Sequence, residues 1–450
     1  MTKQHPVRIE LWAILRLAGP LIASQLAHML MVLTDTLMMA RLSPEALAGG
    51  SLGAATYSFV SIFCIGVIAA VGTLVSIRQG AGDIEGATRL TQAGLWLAWA
   101  LALVGALMLW NIKPLLLLFG QTPTNVEAAG QFLLLLPLAL PGYMTFMALR
   151  GFTSAMGRAT PVMVISLIGT VANFLLNYAL ITGMFGLPKL GIVGPAIATI
   201  IGFSIALIFL YFYLNKKNHP LRPDAALLRH IRYEPELSKI ILRLGIPTGI
   251  QMVTTSVAGL VIVGLVNRYG ADATAAYGAV NQVLNYIQFP ALSIAIAASI
   301  FAAQAIGAGK SDLLNKVNRT ALTMNILFTG TLVILAYLFS KYLMALFITD
   351  PRVVVLGQEL LFIVLWSIVF FGASAIFASI MRASGTVTVP MIINIAAILL
   401  IEVPCAYLFS ERWGLKGIWH AYALAFVCLC LMQGLYYHLV WKKKTIQALI

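Results

Sequence analysis

The sequence predicts an all-α integral membrane protein with twelve transmembrane helices. Of its 450 residues, 60% are hydrophobic and only 10% are charged, whereas about 25% of the residues in a typical soluble domain are charged. The apolar residues fall in segments of about 20 residues or more, which is the length that an α-helix needs to cross a bilayer. These segments often contain Gly or Pro and lack the alternation typical of barrel strands, so helices are favoured over a β-barrel.

The twelve predicted spans follow one another with short polar connections. They lie near residues 11–40, 52–77, 91–119, 129–150, 162–184, 190–214, 240–267, 277–306, 320–347, 355–380, 389–410 and 417–441. With the N-terminus in the cytoplasm, most of the 29 Lys and Arg residues fall in cytoplasmic segments, as the positive-inside rule requires. We therefore expect a multi-pass protein of a bacterial inner (cytoplasmic) membrane, surrounded by lipid, with both termini in the cytoplasm.

The basic residues indicate neither a nucleic-acid partner nor an ATP site. The net charge of +14 follows the topology and forms no basic stripe interleaved with aromatic residues. The turn Gly309-Lys310-Ser311 resembles the end of a phosphate-binding loop, but Gln304 stands where that loop needs its first glycine. The intramembrane ionisable residues also lack the spacing of metal ligands or of a nucleophile with its base. We expect no cofactor and no enzymatic activity.

The chain repeats itself after about half of its length. An offset of 227 in residue number places Pro20 on Pro247 and the Gly80–Gly82 turn on Gly307–Gly309. Further pairs at nearby offsets are Gly157 with Gly385, Tyr178 with Tyr407, Gly191 with Gly414 and Gly194 with Gly417. The sequence therefore predicts two pseudo-symmetric six-helix lobes, residues 1–215 and 238–450, joined by a basic cytoplasmic linker over residues 216–237. A central cavity between the lobes is the expected place for a substrate.

Asp35 is the most informative residue of the first lobe. It lies in the apolar segment of residues 11–40 and has no basic residue within five positions. A charged carboxylate at the centre of a membrane helix costs about 2.5–3.5 kcal/mol on insertion scales, so such a residue is by default an ion or proton site that lines a cavity.

Three polar side chains on other spans are candidates to share a site with Asp35. Asn173 and Asn177 are four residues apart in the fifth span and therefore lie on one helix face, and Thr199 in the sixth span supplies a hydroxyl group. Oxygen atoms of this kind suit a proton or a hard monovalent cation, so Na⁺ at Asp35, Asn173 and Asn177 is one expectation. The alternative is that the amides and the hydroxyl only bridge helices.

The first span carries further polar groups and a proline. Gln25 and His28 lie on the same helix face as Asp35 and are candidates for a proton relay or for the substrate-lining surface. A buried structural histidine is an equally good interpretation of His28. Pro20 removes a backbone hydrogen bond and can kink the helix.

The second lobe carries its acid at a different position. At offset 227 Asp35 maps to Ile262, whereas at offset 229 Asn173 maps to Glu402 in the eleventh span. Glu402 is a second candidate for the relay or for the substrate-lining surface, with Tyr422 or His420 as its partner. A passive buried acid is the alternative.

These residues resemble the NorM branch of the multidrug and toxic compound extrusion (MATE) transporters over essentially the whole chain. The similarity is carried by three stretches: Leu17-Ala18-Gly19-Pro20 through Thr34-Asp35-Thr36, Asn173-Phe174-Leu175-Leu176-Asn177-Tyr178, and Leu187 to Ile200 with Ala196-Ile197-Ala198-Thr199. The resemblance implies export of amphipathic, often cationic, drugs by alternating access, driven by H⁺ or Na⁺. It also implies a monomer, a role in antibiotic resistance, and a cation site at Asp35, Asn173, Asn177 and Thr199.

The sequence departs from this family pattern in the second lobe. Some NorM proteins carry a glutamate in helix 7 and an aspartate in helix 10, where this chain has Thr255 and about Phe371. His28 replaces a common glutamine. These changes move the expected ion coupling to the first lobe. A lipid-linked-oligosaccharide flippase of the same superfamily is the alternative function, although it would need several cationic residues along the cavity.

Overall fold

The structure is predominantly helical in the residues that it describes. The computed structural model describes residues 11–40, 44–183, 189–191, 193–215, 231, 233–444 and 446, and none of these lies in a strand. The first half contains α1 (Leu11–Ala40), α2 (Pro44–Gly80), α3 (Ile84–Trp110), α4 (Lys113–Leu118), α5 (Pro123–Leu135), α6 (Ala139–Ala155), α7 (Thr160–Thr182) and α8 (Val193–Asn215). The second half contains α9 (Pro235–Val266), α10 (Ala271–Gly307), α11 (Leu314–Leu338), α12 (Ser340–Ala345), α13 (Pro351–Val364), α14 (Ile368–Ala383), α15 (Thr388–Ala396), α16 (Val403–Trp413) and α17 (Leu415–Leu439).

These helices provide twelve segments that are long and apolar enough to cross a membrane. Each of α1, α2, α3, α7, α8, α9, α10, α11 and α17 supplies most of one span, whereas α5 with α6, α13 with α14, and α15 with α16 combine into one span each. The predicted number of spans is therefore confirmed. Most of the predicted linker over residues 216–237 lies outside the described residues.

Irregular features recur in both halves. The short helices α4 and α12 begin at equivalent positions of the repeat, Lys113 and Ser340, and the fourth and tenth spans are each interrupted by a 3-10 turn, at Leu136–Leu138 and at Leu365–Ser367. Pro137 in the first turn has no backbone N–H to continue an α-helix. In the second turn the Ser367 hydroxyl donates to the Val364 carbonyl at 2.6 Å, and such local bonds compete with regular helix.

Glycines with positive φ occur at paired positions of the two halves. The pairs are Gly82 (77°) with Gly309 (69°), Gly157 (75°) with Gly385 (82°), and Gly191 (56°) with Gly414 (60°). Only glycine adopts this backbone region without a steric penalty. The turns that correspond to each other in the sequence repeat therefore have the same backbone conformation. This agreement supports the repeat.

The described residues cluster into two compact units. The first unit comprises those of Pro20–Gln79 and Asp83–Gly249, and the second unit comprises those of Met1–Gly19, Gly80–Gly82 and Ile250–Ile450. The units divide α1 before Pro20 and divide α9 after Gly249. The predicted lobe boundaries, which fall between α8 and α9, stay a prediction.

The eleventh span differs from its counterpart α7 by containing a π-helical turn. The turn covers Ala397–Glu402, between α15 and α16. Pro404 lies two residues after the turn and has no N–H for the carbonyl of residue 400, so the regular α-helical bonding pattern cannot continue across this point. Single π turns inside helices are rare and are frequent at functional sites.

The paired glycines Gly194 and Gly417 provide a test of the packing. A Cβ atom at Gly417 would lie 2.1 Å from the backbone carbonyl oxygen of Phe409, whereas at Gly194 its nearest neighbours would lie at 3.4 Å. We expect Gly417→Ala to destabilise the protein by about 1–3 kcal/mol, as overpacking does in well-packed cores, and Gly194→Ala to be nearly neutral. Thermal unfolding midpoints of the two variants in detergent check this, and equal midpoints would contradict it.

Candidate functional site

Helices α1 and α7 run parallel and lie side by side in the first unit. The hydroxyl groups of Ser24 and Ser166 are 2.8 Å apart, and the Asn177 side-chain amide donates to the Asp35 carboxylate. Both pairs are separated by 142 residues, so the two helices keep one register over this length. This register places Asp35 beside Asn177.

Glycines allow α7 and α8 to approach closely next to this contact. A Cβ atom at Gly202 of α8 would lie 3.3 Å from the Asn173 Cβ and 3.3 Å from the Gly169 carbonyl oxygen. Small residues at a membrane helix interface let the backbones come together. The close approach brings Asn173 on α7 within reach of Thr199 on α8.

Four predicted side chains form one hydrogen-bonded cluster, which we call the Asp35 site. Asn177 Nδ2 donates to Asp35 Oδ1 and lies 3.1 Å from Asn173 Oδ1. The Thr199 hydroxyl is 3.4 Å from Asp35 Oδ2, and Asn173 Nδ2 is 3.4 Å from Thr199 Oγ1. Asn173 and Asn177 are fully buried, whereas Asp35 is half-buried. The structure thus brings together the three spans that the sequence proposed.

In the part of the chain that the structure describes, the hydrogen bonds of the Asp35 site leave an oxygen atom without a partner. The Thr199 hydroxyl has one hydrogen and lies 2.9 Å from the Pro195 carbonyl oxygen as well as near Asp35, so it serves only one of them. The Asn177 Oδ1 atom is buried without a hydrogen-bond partner among the described residues. In the same part of the chain Asp35 forms no ion pair with a basic residue. A proton or a hard cation would supply the missing positive charge, since such cations prefer oxygen ligands.

His28 lies in a separate cavity of the first unit. Its ring stacks on Tyr143 with the centroids 5.7 Å apart, and both residues line a cavity together with Ser24, Ser166 and Arg150. His28 precedes Asp35 by seven residues, which is about 10 Å along a helix axis. The structure therefore places His28 with Arg150 rather than within the hydrogen bonds of Asp35. Gln25 is half-buried on the same helix, and α1 continues through Pro20 without ending.

Sequence reasoning missed two residues of this cavity. Arg150 stands at the cytoplasmic end of the predicted fourth span, over residues 129–150, and the structure places it five residues before the end of α6, where it lines the cavity. Tyr143, two turns earlier on α6, gave no signal because a tyrosine in an apolar segment is common. The useful signal was an arginine inside an apolar run, which is costly in a membrane unless it faces a cavity or a partner.

The second unit places Glu402 beside tyrosines. Glu402 is half-buried at the end of the π turn, and its charge would act on both Tyr277 and Tyr422. The hydroxyl groups of these tyrosines are 3.1 Å apart. His420 is exposed, and its Nδ1 atom lies 2.8 Å from the Lys416 carbonyl oxygen. Of the two partners proposed for Glu402, the structure brings Tyr422 near it and gives His420 other contacts.

Comparison with known proteins identifies the family. The model of a family described as MatE matches residues 20–179 and again residues 247–408. The chain belongs to the MatE family. The starts of the two MatE segments, and likewise their ends, are related by the same offsets as the internal repeat. The predicted family is thereby confirmed.

Curated relatives and solved structures agree with this assignment. The "Probable multidrug resistance protein NorM" of Pseudomonas putida is 46% identical, over 97% of this chain and 95% of the relative. The "Probable multidrug resistance protein YoeA" of Bacillus subtilis is 38% identical, over 96% and 94% of the two chains. A mutant of the Vibrio cholerae MATE transporter VcmN superimposes with a TM-score of 0.87 at 17% identity, over 97% of this chain and 98% of that one. The predicted fold class is confirmed as that of MATE transporters.

Proposed function

We propose that this protein is a secondary active multidrug efflux transporter that exports amphipathic, often cationic, compounds in exchange for H⁺ or Na⁺. Membership of the MatE family and relatives named as multidrug resistance proteins support drug export. The observation that carries the coupling is the Asp35 site, where one carboxylate without a basic partner in the described part of the chain meets oxygens from α7 and α8. Such a group can bind and release a cation or a proton within the membrane.

In this proposal Asp35 supplies the charge and the other three side chains supply ligand atoms. A carboxylate only accepts hydrogen bonds, whereas a protonated carboxyl group also donates one. Loading the site with a proton or a cation would therefore change which atoms of α7 and α8 bond to α1. A change of bonding between packed helices is a physical basis for switching between two states, as alternating access requires. Gln25, His28, Glu402 and Tyr422 remain candidates for a relay or for the substrate-lining surface.

The same proposal covers location and assembly. We place the protein in a bacterial inner membrane with both termini in the cytoplasm, because the basic residues concentrate on that side of the predicted topology. The monomer is part of the same proposal and follows from the family resemblance. A lipid-linked-oligosaccharide flippase is the alternative function. The names of the relatives favour drug export over this alternative.

Reconstitution into liposomes tests the function. Purified full-length protein is given a fluorescent cationic dye, and either a pH gradient or a Na⁺ gradient is imposed alone. We expect one gradient to drive dye movement against its concentration, which also identifies the coupling ion. A rate of dye movement that is unchanged by either gradient would reject coupled export.

The two amides predict a specific effect on ion dependence. Asn173→Ala and Asn177→Ala are each expected to raise the ion concentration for half-maximal transport more than they alter the maximal rate, because each removes a ligand oxygen and leaves the charge of Asp35. The titration of transport rate against ion concentration measures both quantities. An unchanged half-maximal concentration in both variants would mean that the amides only bridge helices.

A further inference from the structure

The four side chains of the Asp35 site have counterparts in the second half. At the offsets of the repeat, Asp35, Asn173, Asn177 and Thr199 correspond to Ile262, Glu402, Ala406 and Tyr422, respectively. The family model supports the offsets for the first three pairs because it matches both halves. The positive φ of both Gly191 and Gly414 supports the offset that relates Thr199 to Tyr422.

These counterparts also gather in one place in the second unit. Ile262 and Ala406 are fully buried in one hydrophobic core, and Tyr422 packs against that core. Helix α17, which carries Tyr422, contacts the π turn that ends at Glu402, and the charge of Glu402 would act on the Tyr422 hydroxyl. The second unit therefore contains a modified version of the Asp35 site, with its single acid on the other helix.

The modification removes oxygen ligands. Ile262 and Ala406 offer no polar side-chain atom where Asp35 and Asn177 offer three oxygens, and the Tyr422 hydroxyl is shared with Tyr277 at 3.1 Å. A hard inorganic cation needs several oxygen ligands to replace its water shell. Glu402 and one shared phenol do not supply that number.

Aromatic rings surround Tyr422 in the second unit. They form a continuous chain with centroid separations of 5.3, 5.5, 6.2 and 5.2 Å through Tyr277, Trp419, Tyr422, Phe426 and Phe371. Tyr277 and Trp419 are buried, whereas Tyr422, Phe426 and Phe371 are half-buried, as is Glu402. Glu402 and these three rings are therefore all partly accessible, and the helix that carries Tyr422 and Phe426 contacts the π turn that ends at Glu402.

A carboxylate beside accessible aromatic rings is a recognised chemistry for organic cations. The ring faces attract a cation within about 6 Å, and the carboxylate supplies the counter-charge. Glu402 forms no ion pair with a basic residue in the described part of the chain, so its charge is available to a ligand. We propose that Glu402, Tyr422 and Phe426 form a binding site for the cationic group of an amphipathic organic substrate, distinct from the Asp35 site. The inference rests on the proposed export of such compounds and names one place where they bind.

Equilibrium binding to the purified full-length protein tests the site. The ligands are tetraphenylphosphonium, an amphipathic cation, and triphenylphosphine oxide, a neutral analogue. We expect Glu402→Gln to weaken tetraphenylphosphonium binding by about tenfold, since it removes a charge contact in a partly desolvated site, and to leave binding of the neutral analogue unchanged. Tyr422→Phe should keep the cation affinity because the ring remains, whereas Tyr422→Leu should lower it several-fold.

Three outcomes would overturn the site. They are no binding of tetraphenylphosphonium to the wild type, an unchanged affinity of Glu402→Gln for tetraphenylphosphonium, and an equal loss of affinity for both ligands in Glu402→Gln. If Glu402→Gln is not recovered as folded protein, Tyr422→Phe is compared with Tyr422→Leu by the ratio of the affinity for the cation to the affinity for the neutral analogue. An equal ratio in these two variants would overturn the site. Failure of the proposed function is recognised separately, by wild-type protein that binds tetraphenylphosphonium but shows no gradient-driven export. Wild-type export together with unaltered binding to Glu402→Gln rejects only the site.

Discussion

Asp35→Asn is expected to reduce gradient-driven export to the background of protein-free liposomes while the protein still folds. The amide keeps the shape of the carboxylate but carries no charge, so it can neither attract a cation nor exchange a proton. Its oxygen can still accept from Asn177, which lies against Asp35 in the structure. Removing a charge from a membrane span should if anything ease insertion.

The matched control for this variant is Glu359→Gln. Glu359 is also an acid within a membrane span, but it is half exposed and pairs with Lys416 at 2.8 Å. An exposed pair of this kind contributes little, so we expect wild-type transport from the control. Dye export in liposomes and the thermal unfolding midpoint in detergent are measured for both variants. Wild-type export by Asp35→Asn would remove Asp35 from the coupling site.

Much of this fold is predictable because membrane insertion constrains it strongly. A helix must satisfy its own backbone hydrogen bonds and cross about 30 Å of hydrocarbon, so composition and segment length were sufficient to predict the twelve spans. The repeat was visible because turns need glycine. Gly82 and Gly309 align in sequence and share a positive φ in the structure.

The Asp35 site was predictable only in part. Helical spacing placed Asn173 and Asn177 on one face of α7, and the structure brings both to Asp35. The same spacing grouped His28 with Asp35 on one face of α1, yet His28 lines a cavity with Arg150 and makes no hydrogen bond to Asp35 among the described residues. The spacing of residues shows which face of its own helix a side chain lies on. It does not show which neighbouring helix packs against that face at each position along the helix.

The environment of Glu402 was less accessible to sequence reasoning. Its distance from Tyr277 depends on the packing of α10 against the rest of the second unit, which involves residues more than a hundred positions apart. The π turn before Pro404 also rotates the residues ahead of it relative to a regular helix. A sequence pattern based on 3.6 residues per turn cannot anticipate that rotation.

The Asp35 site and its counterpart in the second unit each contain one acid, but the acid lies on a different helix of the repeat in each half. In the first unit the acid is on α1 and amides are on α7, whereas in the second unit the residue corresponding to Asp35 is Ile262 and the acid is Glu402. The repeat therefore carries its carboxylate on the first of the two equivalent helices in one half and on the second in the other half. An exchange of acid and amide within the Asp35 site examines this directly.

The double variant Asp35→Asn with Asn177→Asp is expected to recover a clear part of the ion-driven export that Asp35→Asn loses. The two side chains are in hydrogen-bond contact, so the exchange moves one negative charge across a single contact and keeps one carboxylate and one amide. Asn177→Asp alone should impair transport, because two adjacent acids disfavour each other's charged form.

Position is tested by a second double variant, Asp35→Asn with Thr34→Asp. Residue 34 precedes residue 35 on the same helix but points about 100° away from it around the axis, and the Thr34 hydroxyl bonds to the Met31 carbonyl oxygen at 2.8 Å instead. We expect no recovery of ion-driven dye export from this variant. Recovery in both double variants would show that any nearby carboxylate suffices. No recovery in either would show that coupling needs the carboxylate at position 35 itself, where it meets both Asn177 of α7 and Thr199 of α8.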